Sequence, residues 1–509
     1  MKKIIFPFTI ALTVLIAGCS KDLNQVPISQ GVTTTFYQSQ SDFIQAVNSV
    51  YNDLRAYPDR LLNLSEIRSD NIYGVSSLGV RDWDPINNFQ RAITGNTYVE
   101  EAWSTDFNGI FRANVVLDQL AKNGAAVGSP TLATRLQAES RFLRAFYYFD
   151  LVRYFGKVPV IDHPVLASEA TTIPRSAVSD VYKFMIADLQ YAIANLPTAY
   201  TGVDIGRATK YAAEGILGQV YMARSGPTYG IEGPGMASGE WNLAVPLFND
   251  IIASGQFALN ANYANIFSYS NQSPTPTGNK EAVFDVMYVS GQNPVLGATF
   301  VWDLTPNGYF LSIKDSKSNG SLEIIPVSDD LMNDYAATDV RKAVTVYTAG
   351  YTNAGSTENR PFFKKYLDVT KIPSASRFDW GENFIAIRYT DILLLKAECV
   401  LNGAPGVQAT DVDAVVNQVR ARAGLTPLVG VTLAQLYDER RKEFADEGSR
   451  WFDLQRSGTL VTTMNTWIGV EDTKKQKQMN QVVAGYVVYP VPQSQLDGAP
   501  GLYKQNSGY

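Results

Sequence analysis

Residues 141–159 read Arg141-Phe142-Leu143-Arg144-Ala145-Phe146-Tyr147-Tyr148-Phe149-Asp150-Leu151-Val152-Arg153-Tyr154-Phe155-Gly156-Lys157-Val158-Pro159. The pattern predicts a helix over 131–155, closed by Gly156. Within it, Ala145-x-x-Tyr148 sets a small residue one turn before a large one. The small residue lets a neighbouring helix approach, and the large one fills the groove beside it. The same device recurs as Leu217-Gly218-x-x-Tyr221 and Ala397-x-x-Val400.

Partner helices are spaced to match. Leu189, Ala192 and Pro197 follow one of these stretches, and Ala244 and Phe248 follow Trp241. Phe43, Val47, Val50 and Leu54 start the series at helical spacing, with Ser41 or Asp42 able to cap. Further helices are expected over 99–122, 177–196, 207–225, 240–254, 383–402, 410–423 and 432–447. The fold class is therefore mainly α, with helix pairs like tetratricopeptide repeats, degenerate and separated by inserted loops. Small–large spacing also occurs in any helical bundle, so the repeat reading competes with that one.

Two stretches break the pattern. Residues 62–98 are irregular, and residues 256–382 carry Ser273-Pro274-Thr275-Pro276, many Gly and Asn, and short β-like runs such as Ala282–Tyr288. Loops this long in a helical protein usually bind something.

Composition narrows the chemistry. The chain has 509 residues, 43 basic and 49 acidic side chains, a net charge of −6 and 45% apolar residues. That length is enough for about three domains of ordinary size, or fewer large ones. The acidic balance, with no long basic run, argues against a nucleic-acid partner. Two cysteines make neither a disulfide framework nor a four-cysteine zinc site. His163 is the only imidazole, which disfavours multi-His metal centres, and its place before Pro164 reads as a surface loop. Cys399, inside Leu393-Leu394-Leu395-Lys396-Ala397-Glu398-Cys399-Val400, reads as a buried, inert thiol. No cofactor is implied. A structural cation held by scattered carboxylates and carbonyls would leave no sequence trace.

The first residues set the compartment. Lys2 and Lys3 precede an apolar stretch from Ile4 to Ile16, and then come Ala17, Gly18 and Cys19. The stretch is short for a membrane span and right for a signal peptide. An aliphatic residue, two small ones and a cysteine resemble the bacterial lipobox, with cleavage before Cys19 and lipidation of its thiol. Two or three acyl chains there anchor stably, where one chain binds only marginally. The plainer alternative is an ordinary secretory peptide with a chance cysteine.

Several ordered motifs then point to one family. They are the 141–159 stretch, Ile387-Arg388-Tyr389-Thr390-Asp391-Ile392-Leu393-Leu394-Leu395-Lys396-Ala397-Glu398, Val419-Arg420-Ala421-Arg422-Ala423-Gly424-Leu425, Glu439-Arg440-Arg441-Lys442-Glu443-Phe444-Ala445-Asp446-Glu447-Gly448-Ser449-Arg450-Trp451-Phe452-Asp453-Leu454-Gln455-Arg456, Tyr489-Pro490-Val491-Pro492 and Gln505-Asn506-Ser507-Gly508-Tyr509. Over the whole mature length the chain resembles the SusD/RagB family of Bacteroidetes outer-membrane lipoproteins. Ser507 departs from it, standing where the family often has proline.

The resemblance implies a SusD-like scaffold of tetratricopeptide-like helix pairs with minor β and irregular insertions forming a ligand face. It implies a signal peptide over 1–18, an N-terminal helical half over 19–225, and a C-terminal half over 226–509 holding the insertion 256–382, the two halves forming one globular unit. It implies a protein at the cell surface, anchored in the outer membrane through Cys19. Such a protein captures oligosaccharides, or peptides in some relatives, and passes them to a SusC-like TonB-dependent outer-membrane barrel. It binds and does not catalyse.

Sugar capture needs flat aromatic faces for ring C–H surfaces and fixed polar groups for hydroxyls. Two stretches that match the family's ligand-lining segments supply these types. Ser69 to Asp84 offers Asp70, Asn71, Tyr73, Arg81 and Trp83, and Phe300 to Phe310 offers Trp302 and Tyr309. Trp83, Trp302, Tyr309 and Tyr73 are the candidate stacking residues, with Asp70, Asn71 and Arg81 as hydroxyl partners; for each the alternative is packing. Trp103, Trp241 and Trp451 sit on helical patterns and are expected in the core.

The acidic and basic residues of 439–447 are expected to pair locally, Arg440 with Glu443 and Glu439 with Arg441 or Lys442, each pair worth a few tenths of a kcal/mol. A glycoside hydrolase built on Glu443 and Glu447 is the enzymatic alternative, since such enzymes use two carboxylates. An arginine-rich helix lowers both pKa values, which suits ion pairs better than a general acid. A third reading is a peptide adaptor using the concave face of repeat helices.

Overall fold

A computed structural model describes residues 36–75, 81–272, 279–314, 324–373, 376–405, 409–472 and 479–509. The signal peptide and Cys19 lie outside these residues.

The longer helices are α1 (Gln40–Asn52), α2 (Thr97–Asn123), α3 (Pro130–Phe155), α4 (Val178–Asn195), α5 (Lys210–Ser225), α6 (Trp241–Ala253), α7 (Tyr389–Leu401), α8 (Ala409–Arg422), α9 (Leu433–Phe444), α10 (Arg450–Ser457) and α11 (Leu460–Glu471). Local signals start and stop them. Ser39 and Asp42 form a reciprocal capping box on α1, so Ser39 rather than Ser41 is the cap. Ser129 caps α3 ahead of Pro130, and Gly156 ends it at φ +66°, where a side chain would collide with the Glu232 carbonyl.

Each helix from α1 to α6 packs on the next, α6 packs on α7, and α7, α8 and α9 pack on one another. The small position of one predicted pair, Gly218, operates here, and Gly109 adds a contact of the same kind outside the predicted pairs. Gly218 of α5 meets the Phe248 ring of α6, and Gly109 of α2 meets the Tyr147 ring of α3; a Cβ at either glycine would clash. The central helix α3 buries both apolar and charged side chains. Its Arg144 makes two bonds to Asp188 of α4, at 2.8 and 2.9 Å. One hydrophobic cluster runs from Tyr37 to Tyr489, and a smaller one joins Leu394, Ala397, Val416, Leu436 and Phe444 between α7, α8 and α9. No described helix is long and apolar enough to cross a membrane.

Strand is minor. β1 (Ala282–Val286) lies within the β-like run read from the sequence. Two short hairpin-like pairs follow, β2 (Val346–Tyr347) with β5 (Phe362–Phe363) and β3 (Tyr351–Asn353) with β4 (Ser356–Glu358). β6 (Phe384–Arg388) pairs antiparallel with β1. The helix expected over 383–402 is therefore corrected: its first turn is strand β6, and α7 begins only at Tyr389.

The local pairing expected for 439–447 is corrected as well. These side chains are buried and find partners far along the chain. Glu443 accepts from Arg388 at 2.9 Å, Arg422 at 2.6 Å and Arg341 at 3.1 Å. Glu447 accepts from Arg388 and from Lys365, each at 2.9 Å, and Glu439 pairs with Arg341 and Arg420. Glu281 bonds Arg388 and Arg422, and Asp339 pairs with Arg341. Five cations thus meet five carboxylates in one network that ties β6, α8 and α9 to the loop before β1 and to the short helix Val340–Thr345 that carries Arg341. Arg440 instead joins Asp453 and Asp391, and Arg450 joins Asp70.

The expected helix 432–447 stops at Phe444 for a related reason. Glu66 accepts the backbone N–H groups of Asp446 and Gly448, at 3.1 and 3.0 Å, and so claims them from any further helical turn. Gly448 sits at φ +73° with its Cα against Leu61, a place only glycine fills.

Candidate functional site

The two stretches expected to line a ligand face fold differently from one another. In the first, Asp70 is buried, accepting from Arg450 at 2.8 and 2.7 Å and pairing with Arg441 at 3.3 Å. Burial raises its carboxyl pKa, and the two guanidiniums outweigh burial and hold it well below the ordinary range. Asn71 donates to Glu66 at 2.8 Å and accepts from Arg441 at 2.9 Å. The Tyr73 hydroxyl donates to Asp472 at 3.0 Å, and its ring meets Trp467 edge-on. Trp83 is 3% exposed. Its indole fills the space that Gly74 leaves by lacking a side chain.

These placements correct the expectation of an open platform. The four side chains close the interior under the loop, and none presents a face or free polar group at the surface. Arg81 is half-buried, and its backbone N–H donates to Asp84 at 3.0 Å.

In the second stretch, Tyr309 is 5% exposed and boxed by Phe310, Tyr347, Tyr351 and Phe362, so it is also a packing residue. Trp302 is also buried, at 9% exposed, which corrects its reading as an open stacking face. It meets Phe378 edge-on, with ring centroids 5.2 Å apart, and the Arg377 guanidinium lies 4.6 Å from both ring centres. Phe378 is 39% exposed. The Trp302 indole nitrogen is buried without an acceptor among the described residues. An indole N–H left in that state is costly to the fold.

Around this aromatic group the two stretches do converge, through residues the sequence reading left out of the site. Asn96 caps α2, and its amide donates to the Asp82 carbonyl at 2.6 Å. This sets the Asp82 backbone beside the start of α2, which carries Tyr98 in its first turn and Glu101 just past it. Asp59 accepts from the Thr299 hydroxyl at 2.6 Å. Burial raises the Asp303 carboxyl pKa, and the neighbouring Asp59 carboxyl raises it further. Burial also raises the Tyr98 phenol, with Asp303, Asp82 and Glu101 adding to the rise. Asp82, Glu101 and Phe378 are exposed, and Tyr98, Asp303 and Arg377 are half-buried. The result is a partly solvent-facing patch of aromatic surface and carboxyl groups. Asp82 and Asp303 stood inside the quoted stretches. Phe378 and Tyr98 had no local signal beyond being aromatic.

Other candidates resolve plainly. Trp103 and Trp451 are buried, and Trp241 packs half-buried on the core. Cys399 is buried and its thiol pKa is pushed well up by burial. His163 is exposed between Asp162 and Glu169, at 2.7 and 2.9 Å. For Glu443, burial raises the pKa, but Arg422, Arg388 and Arg341 together bring it down to about 2. A carboxylate held ionised in this way has no proton to give as a general acid.

Comparison with known proteins agrees with this architecture. Residues 26–222 match the family described as "Starch-binding associating with outer membrane". A SusD-like protein P25 of Formosa agariphila is 25% identical, over 97% of each chain. Among solved structures, surface glycan-binding protein A from Bacteroides fluxus superposes with a TM-score of 0.79 at 21% identity, covering 92% of this chain and all of that one. Its counterpart from Bacteroides thetaiotaomicron, solved with laminarihexaose, gives 0.77 at 23% identity, with 92% and 100% covered. The C-terminal half, from residue 253 to residue 509, matches the description "SusD family", and with both halves so matched the chain belongs to the SusD family.

Proposed function

We propose that the protein is a surface-exposed nutrient-binding lipoprotein. It captures oligosaccharides on the patch around Trp302, Phe378 and Tyr98 and delivers them to a SusC-like TonB-dependent transporter. The observation that carries the reading is the exposed Phe378 set edge-on against Trp302, with carboxyl groups alongside. Rings stack on sugar C–H faces, and carboxylates accept hydroxyl protons. The structural relative with laminarihexaose bound supports a glycan as the ligand class.

Phe378→Ala is expected to weaken glycan binding by about 1–3 kcal/mol, the size of an aromatic hot spot. Because Phe378 is 39% exposed, its melting temperature should stay close to that of the unchanged protein. Affinity electrophoresis and calorimetry against a polysaccharide and oligosaccharide panel check both. Unchanged affinity would move the binding face elsewhere.

Membrane attachment is assigned to Cys19, and delivery to a barrel partner. Cys19→Ala should leave the fold intact and release the protein from membranes, read by fractionation. A stable docking surface on the order of 2,000 Å² is expected against the transporter. Co-purification of a barrel protein from native membranes tests it, and isolation with no barrel attached would count against it.

A further inference from the structure

We propose that the patch selects glycans by charge, taking neutral oligosaccharides and rejecting those that carry carboxylate or sulfate groups, with Asp82 and Glu101 as the specificity-determining side chains. The proposal rests on the reading of this patch as the glycan site.

Three elements bring acidic groups to one face. The Asn96 cap holds the Asp82 backbone at the start of α2, within electrostatic reach of Glu101. The short helix Tyr57–Leu61 contributes Asp59, held by Thr299, and the turn after Trp302 contributes Asp303. Burial raises the carboxyls of the neighbouring Asp59 and Asp303, which bring two acidic groups to that face. Asp82 and Glu101 add two more, both exposed. The cation among the rings is Arg377, its guanidinium carbon 4.6 Å from the ring centres of Trp302 and Phe378 and attracted to Asp303.

A ligand stacked on Phe378 therefore meets an excess of negative charge. Each like charge brought within about 4 Å in water weakens binding roughly fivefold. Neutral hydroxyls gain instead, because a carboxylate acceptor shortens and strengthens their hydrogen bonds. Nothing in the stacking surface itself distinguishes the two ligand types, so the discrimination falls to the acidic rim.

The test uses pairs that differ only in charge: laminarin, starch, mannan and galactan oligosaccharides, each beside its C6-carboxylated counterpart, with alginate and carrageenan oligosaccharides added. The full-length protein is titrated by calorimetry at low and at raised salt. A neutral oligosaccharide should bind at least tenfold tighter than its carboxylated counterpart at low salt. The gap should narrow as salt screens the rim. In the Asp82→Asn/Glu101→Gln variant the ratio of the two affinities should fall several-fold at low salt.

A carboxylated ligand that binds as tightly as its neutral parent, or binding confined to alginate or carrageenan, overturns charge selection and leaves glycan capture standing. A ratio unmoved in the double variant overturns the role given to Asp82 and Glu101. If no glycan of either kind binds, the glycan reading itself fails.

Discussion

Glu443→Gln is expected to cost the fold about 3–5 kcal/mol, the penalty for removing one partner from a buried ion network. Glu443 is fully buried and takes hydrogen bonds from Arg388, Arg422 and Arg341. The network around it balances five cations with five carboxylates. A neutral amide of the same shape removes one negative charge and leaves an unmatched guanidinium charge in an interior that water does not reach. The amide's NH₂ would also face donors that offer no acceptor. Urea unfolding at pH 7 should show the transition midpoint shifted far down or the protein insoluble. Asp330→Asn is the contrast. Asp330 pairs with Arg441 at 2.7 Å, but its side chain is 46% exposed, so its loss should cost no more than about 1 kcal/mol. Equal losses in the two variants would mean that the network is not the keystone its geometry makes it.

The same group gives the fold an acid limit with a definite sign. Its folded pKa is about 2 and its usual value is 4.5, so the folded state favours the ionised form. That contribution is fully present above about 4.5 and is lost as pH falls toward 2. The unchanged protein should therefore lose stability over that window, and Glu443→Gln, already lacking the charge, should lose less across it. The guanidinium partners Arg388 and Arg341 are pushed further up by the surrounding carboxylates and stay charged throughout.

Helices were readable because their signals are local. Small residues such as Gly218 and stops such as Gly156 act within a turn or two, and a 3.6-residue period shows them. Phe384-Ile385-Ala386-Ile387-Arg388 failed because an apolar, β-branched run abutting a helix has no period of its own. What makes it a strand is Ala282–Val286, about a hundred residues upstream. The charged motif of α9 failed in the same way. Spacing names neighbours three and four apart, while the partners of Glu443 come from β6, α8 and the Arg341 segment. Burial, which decides whether an ion pair is decorative or structural, is set by the tertiary contacts alone. The site was half legible. Loop aromatics announce either stacking or packing, and the sequence held no sign of which loop turns its rings inward.

Trp83→Ala is where that ambiguity becomes a measurement. Read as a surface platform, the residue should weaken ligand binding with the fold untouched. Its placement says the reverse. The indole is 3% exposed, seated over Gly74 in a core shared with Ile72 and Ile86. Truncation removes the buried ring and leaves a cavity that Gly74, with no side chain, does nothing to refill. The expected loss is about 3–5 kcal/mol of stability, as for other buried aromatic truncations. Trp83→Phe should recover part of it, because a smaller ring still fills much of the gap. Binding by the folded fraction should change far less than in Phe378→Ala, since no Trp83 face reaches solvent. Thermal unfolding and calorimetry on the three variants separate the roles. A Trp83→Ala protein that melts normally and fails to bind would return Trp83 to the ligand face and displace Phe378 from it.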